Sequence, residues 1–152
     1  MLAMKVGRDI LEYVNTVRNT AVKQKMKKRI QEYNVNPTIA NELSKVMEKT
    51  FFVIISGEWS SDDQTCISSL AKLFKNASNS NLVAKVLDYD SNQDIVEELN
   101  VRQVPTVIVY DRQQRELGRY VQDTSRFATV EEDILDILKR SNKISSPQVP
   151  HI

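Results

Sequence analysis

The segment FFVIIS at residues 51–56 constrains the fold more than any other part of the sequence. It is short, almost continuously apolar, and rich in β-branched and aromatic side chains. Such a run is typical of a strand buried on both faces of a sheet, whereas a strand with one solvated face alternates apolar and polar residues. Because helices must cover both faces, the segment predicts an α/β protein.

The residues after this strand continue the alternation of helices and strands. Apolar side chains at three- and four-residue spacing predict a helix over 61–76. A second buried strand is predicted at 81–89 and a second helix at 94–100. Two closely spaced runs, 107–111 and 116–122, then predict an antiparallel hairpin.

The pattern TVEEDILDILKR predicts a final helix near the carboxyl end, with Thr129 as its N-cap and Glu132 as the capping-box partner. At the other end of the chain, apolar spacing predicts one amphipathic helix from Arg8 to about Tyr33. A second helix is predicted to run from Pro37 to about Glu48, with Asn36 as its N-cap.

The charge is unevenly distributed. Residues 1–50 contain ten Lys and Arg against five Asp and Glu, whereas residues 51–152 contain eleven against fifteen. We expect the two parts to pack against one another, although a basic first part could also face an acidic partner. The basic run at 23–29 has no interleaved aromatic residues to stack on bases, so nucleic-acid binding is not expected.

The composition indicates a globular protein of one domain, with 152 residues and a formal net charge of +1. A single cysteine allows no internal disulfide, which favours a cytoplasmic protein over a secreted disulfide scaffold. Charged residues interrupt the apolar N-terminus, so neither a signal peptide nor a membrane-spanning helix is expected there.

The order β-α-β-α-β-β-α, with Val104-Pro105-Thr106 at the start of the third strand and Trp59 before a helix, resembles the thioredoxin family. The resemblance covers about residues 50–140. It implies a thioredoxin-like three-layer α/β/α sandwich with a central mixed sheet, preceded by an N-terminal helical extension. The expected divisions are the extension at 1–49, the thioredoxin-like domain at 50–141 and a flexible tail at 142–152.

The resemblance also implies where a redox site would lie. In that family a Trp precedes a Cys-x-x-Cys pair at a helix start, and a cis-proline faces the pair. Here Ser60 and Asp63 occupy the two cysteine positions, and Pro105 is expected to be the cis-proline. Ile54 stands where many relatives carry a buried Asp, while Lys85 keeps a common partner lysine. Dithiol oxidoreductase activity is therefore not expected.

Residues 60–64 instead have the composition of a capped helix start. Either Ser60 or Ser61 can serve as the N-cap, and acidic residues follow in the first turn, where the helix dipole favours them. We therefore interpret the chain as a redox-inactive module that binds a protein or peptide non-covalently in the former substrate groove. The groove residues are Trp59, Ser60, Ser61, Val104 and Pro105.

Cys66 is the candidate thiol of a different function. It lies near the apolar stripe of its helix, which favours a buried side chain. The alternative is a single-cysteine protein of cell redox homeostasis that forms mixed disulfides through Cys66. A third interpretation is an assembly module, and the N-terminal helices could mediate a homodimer.

Other chemistry is not indicated. Two serines could be nucleophiles, but the only histidine, His151, lies in the tail, so a hydrolase triad is not expected. The segment DYDSNQD at 88–94 resembles the first half of a calcium loop, yet it lacks the central Gly and the final Glu. We expect no metal, no cofactor and no membrane partner.

Overall fold

The computed structural model describes residues 1–57, 60–122 and 129–144. Its helices and strands, numbered along the chain, are α1 (Leu2–Val6), β1 (Arg8–Asp9), α2 (Ile10–Thr16), α3 (Thr20–Glu32), α4 (Pro37–Ser44), β2 (Thr50–Ser56), α5 (Ser61–Ala77), β3 (Leu82–Asp88), α6 (Gln93–Glu98), β4 (Thr106–Tyr110), β5 (Glu116–Val121) and α7 (Val130–Arg140), with a short 3-10 turn at Asp90–Asn92.

The five strands form one mixed sheet in the order β1-β3-β2-β4-β5. The central strand β2 runs parallel to β3 and antiparallel to β4. The predicted hairpin is present, because β4 and β5 pair antiparallel with an irregularity next to Tyr110. Its turn places Gln114 at a φ of 65°, which is consistent with the absence of a two-residue Asn-Gly turn.

The continuous apolar run of β2 supplies a core on each side of the sheet. Phe52 and Ile54 face a large cluster that includes side chains of α2, α3, α4, α5 and α7. Val53 and Ile55 face a smaller cluster that includes side chains of α1 and α6. All four side chains have no accessible surface, so the predicted three-layer α/β/α arrangement follows from one strand that is buried on both faces.

The prediction of one helix from Arg8 to Tyr33 is wrong. Arg8 and Asp9 form a short strand that pairs antiparallel with β3, so the N-terminal part supplies an edge of the sheet. Two short polar side chains then start separate helices: Asp9 accepts a hydrogen bond from the Leu11 amide at 3.1 Å, and Asn19 accepts one from the Val22 amide at 3.1 Å. The break between α2 and α3 lets α3 lie along α5.

The second N-terminal helix agrees with its predicted start. Asn36 Oδ1 accepts hydrogen bonds from the amides of Thr38 and Ile39, and Pro37 is the first helical residue. The helix ends at Ser44, four residues before the predicted end. The apolar faces of α3 and α4, which include Met26, Ile39 and Leu43, are covered by the rest of this chain.

The carboxyl-terminal helix also begins as predicted. The Glu132 amide donates to Thr129 Oγ1 at 3.2 Å, and the Glu132 carboxylate accepts from the same hydroxyl. Residues 142–144 pack against the body rather than forming the start of a free tail, since Ile144 is buried and Lys143 Nζ lies 2.9 Å from Glu48 Oε2. Residues 145–152, with His151, lie outside the described residues.

None of the helices in the described part of the chain has the length and apolar character that crossing a bilayer requires. Exposed large apolar side chains in this part are few and lie mainly near the N-terminus: Leu2, Val6, Leu11 and Met47.

Candidate functional site

Two chain segments meet at one end of the central strands β2 and β4. They are the segments that the sequence singled out. Ile55, near the end of β2, pairs with Thr106, the first residue of β4. The end of β2 at Ser56 therefore lies beside the Val104-Pro105 dipeptide that precedes β4. Trp59, which follows β2 in the chain, lies outside the described residues, so its predicted role in the groove stays a prediction.

Asp63 fastens the start of α5 to the end of β2. Its Oδ1 atom accepts hydrogen bonds from Ser56 Oγ at 2.9 Å and from the Gly57 amide at 3.0 Å. Its Oδ2 atom accepts one from Ser60 Oγ. The carboxylate is 1% exposed, so these donors replace the water that it would otherwise need.

Ser60, not Ser61, is the N-cap of α5. Its side chain accepts a hydrogen bond from the Asp63 amide at 3.0 Å while its hydroxyl contacts the Asp63 carboxylate. Ser60 is half-buried, whereas Ser61 and Asp62 are exposed in the first turn. The two positions that would carry redox cysteines therefore hold a reciprocal cap, with no sulfur atom at either one.

The opposite side of the site is the Val104-Pro105 dipeptide, whose peptide bond is cis. Pro105 is buried and Val104 is half-buried. The loop is tied down by Gln103, whose Nε2 donates to the Gln122 carbonyl at 2.7 Å and whose carbonyl accepts from Thr106 Oγ1 at 2.7 Å. Within the described residues, the N–H and C=O groups of Val104 make no hydrogen bond.

Cys66 is buried in the larger core cluster, as the helical stripe predicted, with 4% of its surface exposed. Burial raises the pKa of the Cys66 thiol well above its ordinary value, and the nearby carboxylates of Asp63 and Glu131 raise it further. A thiol that stays protonated at neutral pH is a poor nucleophile.

A cavity of about 230 Å³ lies beside the exposed first turn of α5. It was not predicted, because its walls come from four distant segments: the end of α3, one face of α5, the end of β5 with Gln122, and the start of α7. No local pattern relates these segments, which come together because α3 and α7 both pack on α5 and α7 also packs on β5.

Hydrogen bonds and a stacked ring order the side chains around this cavity. The Tyr33 hydroxyl donates to Glu131 Oε1 at 3.1 Å, and the Arg29 guanidinium lies over the Tyr33 ring, 4.6 Å from its centroid. Arg29 Nη2 also donates to Ser69 Oγ at 3.1 Å. Burial and then Glu131 raise the pKa of Tyr33. Burial, followed by the neighbouring Cys66 and several carboxylates, raises the pKa of Tyr120 to about 12.

The acidic segment after β3 has a structural role in this fold. Asp88 Oδ2 accepts hydrogen bonds from the Ser91 amide and hydroxyl, and Asn92 Nδ2 donates to the Asp88 carbonyl. These contacts close the turn between β3 and α6. Among the described residues, no group of three or more His, Cys, Asp or Glu side chains is arranged to hold a metal ion.

The family model described as Thioredoxin matches residues 7–135. The chain belongs to the thioredoxin family. The match begins at residue 7, so it includes α2, α3 and α4, which the sequence resemblance had left outside, but not α1. This extent agrees with the placement of β1 in the sheet. No curated protein matches the chain.

Two solved structures show the same fold at low sequence identity. A protein of unknown function from Pseudomonas aeruginosa superposes with a TM-score of 0.71 at 15% identity, covering 91% of this chain and 96% of that one. An HIV epitope-scaffold protein gives a TM-score of 0.72, also at 15% identity and with the same coverages of 91% and 96%. Thioredoxin 1 from Thermosipho africanus matches with a TM-score of 0.49 at 17% identity, covering 61% of this chain and 94% of its own.

This thioredoxin-family chain has one cysteine in its 152 residues, so it carries no Cys-x-x-Cys pair. One supporting position differs as well: Ile54, which the resemblance implies stands in place of a buried acid, is fully buried in the core. The retained Lys85 pairs with Val53 in the sheet. What remains at the site is a capped helix start next to a loop with open backbone groups.

Proposed function

We propose that this protein binds an extended protein or peptide segment non-covalently, in the groove between the start of α5 and the loop before β4. The observation that carries the proposal is the unpaired backbone of Val104, described above. A peptide strand that lies along this loop can donate to the Val104 carbonyl and accept from its amide, as in strand addition to a sheet.

The chemistry of the opposite wall supports binding without exchange of disulfides. Forming a mixed disulfide needs a thiolate, and Ser60 and Asp63 supply a hydroxyl and a carboxylate. The Asp63 carboxylate is already bonded to three donors, so it is not available as a base for a substrate. The exposed Ser61 and Asp62 are free of such constraints and can contact a ligand.

The alternative function, a single-cysteine thiol protein, is less well supported. Cys66 points into the core, and its raised pKa leaves little thiolate at neutral pH. An insulin-reduction assay tests this alternative directly. Activity that disappears in a Cys66→Ser variant would favour it over the binding module.

A test of the binding proposal starts from peptides selected against the purified protein by phage display. The affinity of a selected peptide is then measured by fluorescence polarisation for two matched variants. Ser61→Arg places a bulky side chain at the exposed start of α5, and Asn76→Arg adds the same residue at the exposed far end of that helix.

We expect Ser61→Arg to lower the affinity for the selected peptide by about tenfold or more, which corresponds to about 1.4 kcal/mol of binding free energy. Asn76→Arg should leave the affinity unchanged. Equal affinities for both variants would place the peptide elsewhere and reject the groove.

A further inference from the structure

The cavity beside the first turn of α5 contains more negative than positive charge. Its walls include the carboxylates of Asp62 and Glu131 and one guanidinium, that of Arg29. The other lining residues are uncharged, and they include Thr65, Ser69, Thr129, the two tyrosines and the buried Cys66. The cavity is therefore suited to a group that donates hydrogen bonds and carries positive charge.

The positive charge of Arg29 is already engaged. Its guanidinium stacks on the Tyr33 ring and donates to Ser69, and its Nε atom is buried without a partner. Because Nε is covered by protein atoms, it is not presented to a molecule in the cavity. Arg29 thus holds the Tyr33 ring in place, and its single positive charge faces two carboxylates around the cavity.

Glu131 has the opposite character. Its side chain lines the cavity and the residue is only 5% exposed, yet its one hydrogen-bond donor among the described residues is the neutral Tyr33 hydroxyl at Oε1. A buried carboxylate normally has several donors or a paired cation, because burial without them is costly. Glu131 Oε2 is left to bind whatever enters the cavity.

The cavity adjoins the proposed peptide groove. Gln122 links the two: its side chain lines the cavity and accepts from the Tyr120 hydroxyl, and its carbonyl accepts from Gln103, the residue before Val104 of the groove. Asp62 lies in the exposed first turn of α5, next to Ser61 of the groove. A volume of about 230 Å³ is smaller than a site for a drug-sized ligand or cofactor, about 300–1,000 Å³, and suits a single side chain.

From this geometry we infer that the cavity accepts the basic side chain, lysine or arginine, of a bound peptide, with its charged end at Glu131 and Asp62. This inference rests on the proposed function for its peptide, but the cavity itself can be tested without one. The charged end would complete the hydrogen bonding of Glu131, and the Tyr33 and Tyr120 rings would cover the aliphatic stem.

The first experiment uses small probes and needs no peptide. Backbone amide NMR spectra of the ¹⁵N-labelled protein are recorded during titration with n-butylguanidinium, with n-butylammonium and with butyrate as the anionic control. We expect both cations to shift the amides of Tyr33, Cys66 and Glu131, and butyrate to leave them in place. Saturable shifts of these amides with butyrate would overturn the inference. The absence of saturable shifts with all three probes would overturn it as well.

Variants then test the carboxylates. Glu131→Gln keeps an acceptor for the Tyr33 hydroxyl and removes only the charge. Asp62→Asn removes the charge of the exposed carboxylate at the cavity. The control is Glu132→Gln, which removes the neighbouring charge at the start of α7 from an exposed side chain that is not part of the cavity. Thermal unfolding of each variant confirms that it is folded.

We expect Glu131→Gln to lower the affinity for the cation by about fivefold or more, which is equivalent to an ion pair of about 1 kcal/mol. Asp62→Asn should weaken it less, and Glu132→Gln should not change it. An unchanged affinity in Glu131→Gln would reject the site.

The second experiment separates this inference from the proposed function. In a peptide selected for groove binding, each basic residue is replaced in turn by norleucine, which keeps the apolar stem, and each peptide is tested on wild type and Glu131→Gln. The inference is supported if replacing one basic residue lowers the affinity for the wild type but does not lower the affinity for Glu131→Gln. Peptides that bind the groove with no such residue would overturn it and leave the proposed function intact. If no peptide binds but the small cations do, the proposed function fails and the cavity stands as a cation site.

Discussion

The Asp63 carboxylate accepts a hydrogen bond from the Gly57 amide at 3.0 Å, which joins the start of α5 to the end of β2. The same carboxylate holds the Ser56 hydroxyl, so two buried donors of the β2 end depend on it. Asp63, which occupies the second cysteine position, thus helps to stabilise the fold.

Replacing Asp63 with Ala should lower the free energy of unfolding by about 3 kcal/mol, because it leaves buried donors without an acceptor. Urea denaturation measures the change. The matched control is Asp62→Ala, which removes an exposed acid from the same helical turn and should cost much less. Similar losses in both variants would show that the hydrogen bonds of Asp63 contribute little.

Cys66 should react slowly with a thiol reagent such as DTNB in the native protein at pH 7.5. The thiol is buried and its raised pKa keeps it protonated, so reaction requires local opening of the structure. We expect a rate on the order of a hundredfold or more below that of the protein unfolded in urea. Equal rates in the two states would mean that Cys66 is accessible, contrary to its place in the core.

Alkaline pH should destabilise the fold through the same thiol. The pKa of Cys66 is raised in the folded state above its ordinary value of 9.0, so the contribution is intact below pH 9. Above that pH the unfolded chain loses the proton first, and stability falls by at most about 1.4 kcal/mol per pH unit from this group.

The measurement compares wild type with Cys66→Ala by thermal unfolding at pH 8, 9 and 10. The Ala variant should lose less stability between pH 9 and 10. Tyr120, whose pKa is raised to about 12 from 10.0, adds a further loss in both proteins mainly above pH 10. A parallel decline of the two proteins through pH 10 would show that the thiol ionises as easily in the folded state as in the unfolded one.

The N-terminal segment should be an integral part of the fold. A Cβ atom at Gly7 would lie 2.8 Å from Lys85 Cβ and 2.9 Å from the Ala3 carbonyl oxygen, so α1 and β3 approach too closely there for any other residue. We expect Gly7→Ala to lower the free energy of unfolding by about 1–3 kcal/mol, as overpacking does. Lys5→Ala, on the exposed side of α1, is the control. Unchanged stability in Gly7→Ala would mean that this segment is only loosely attached.

Most elements from residue 50 onward could be predicted, because buried strands and capped helices leave strong local patterns. The break between α2 and α3 could not, because apolar spacing continues across it from Val14 to Val22 while Asn19 starts a new helix. A strand of two residues, β1, has no period to detect.

The candidate site was predictable only in part. The N-cap at the start of α5 follows from its serines and aspartates. The burial of Asp63 does not, because its donors Ser56 and Gly57 belong to the end of a strand that reaches it only through the turn between them. The cavity forms where α3 and α7 pack on α5, so the burial of Glu131 beside it leaves no local pattern in the sequence.

Hydrogen exchange at the Val104 amide provides the most direct test of peptide binding at the groove. The exchange rate is measured by NMR for the free protein and for the protein saturated with a selected peptide. Pairing of the peptide backbone with Val104 predicts exchange slowed by about tenfold or more, together with contacts between the peptide and residues 103–105. A bound peptide that leaves the Val104 amide exchanging at its free rate would contradict binding by strand addition.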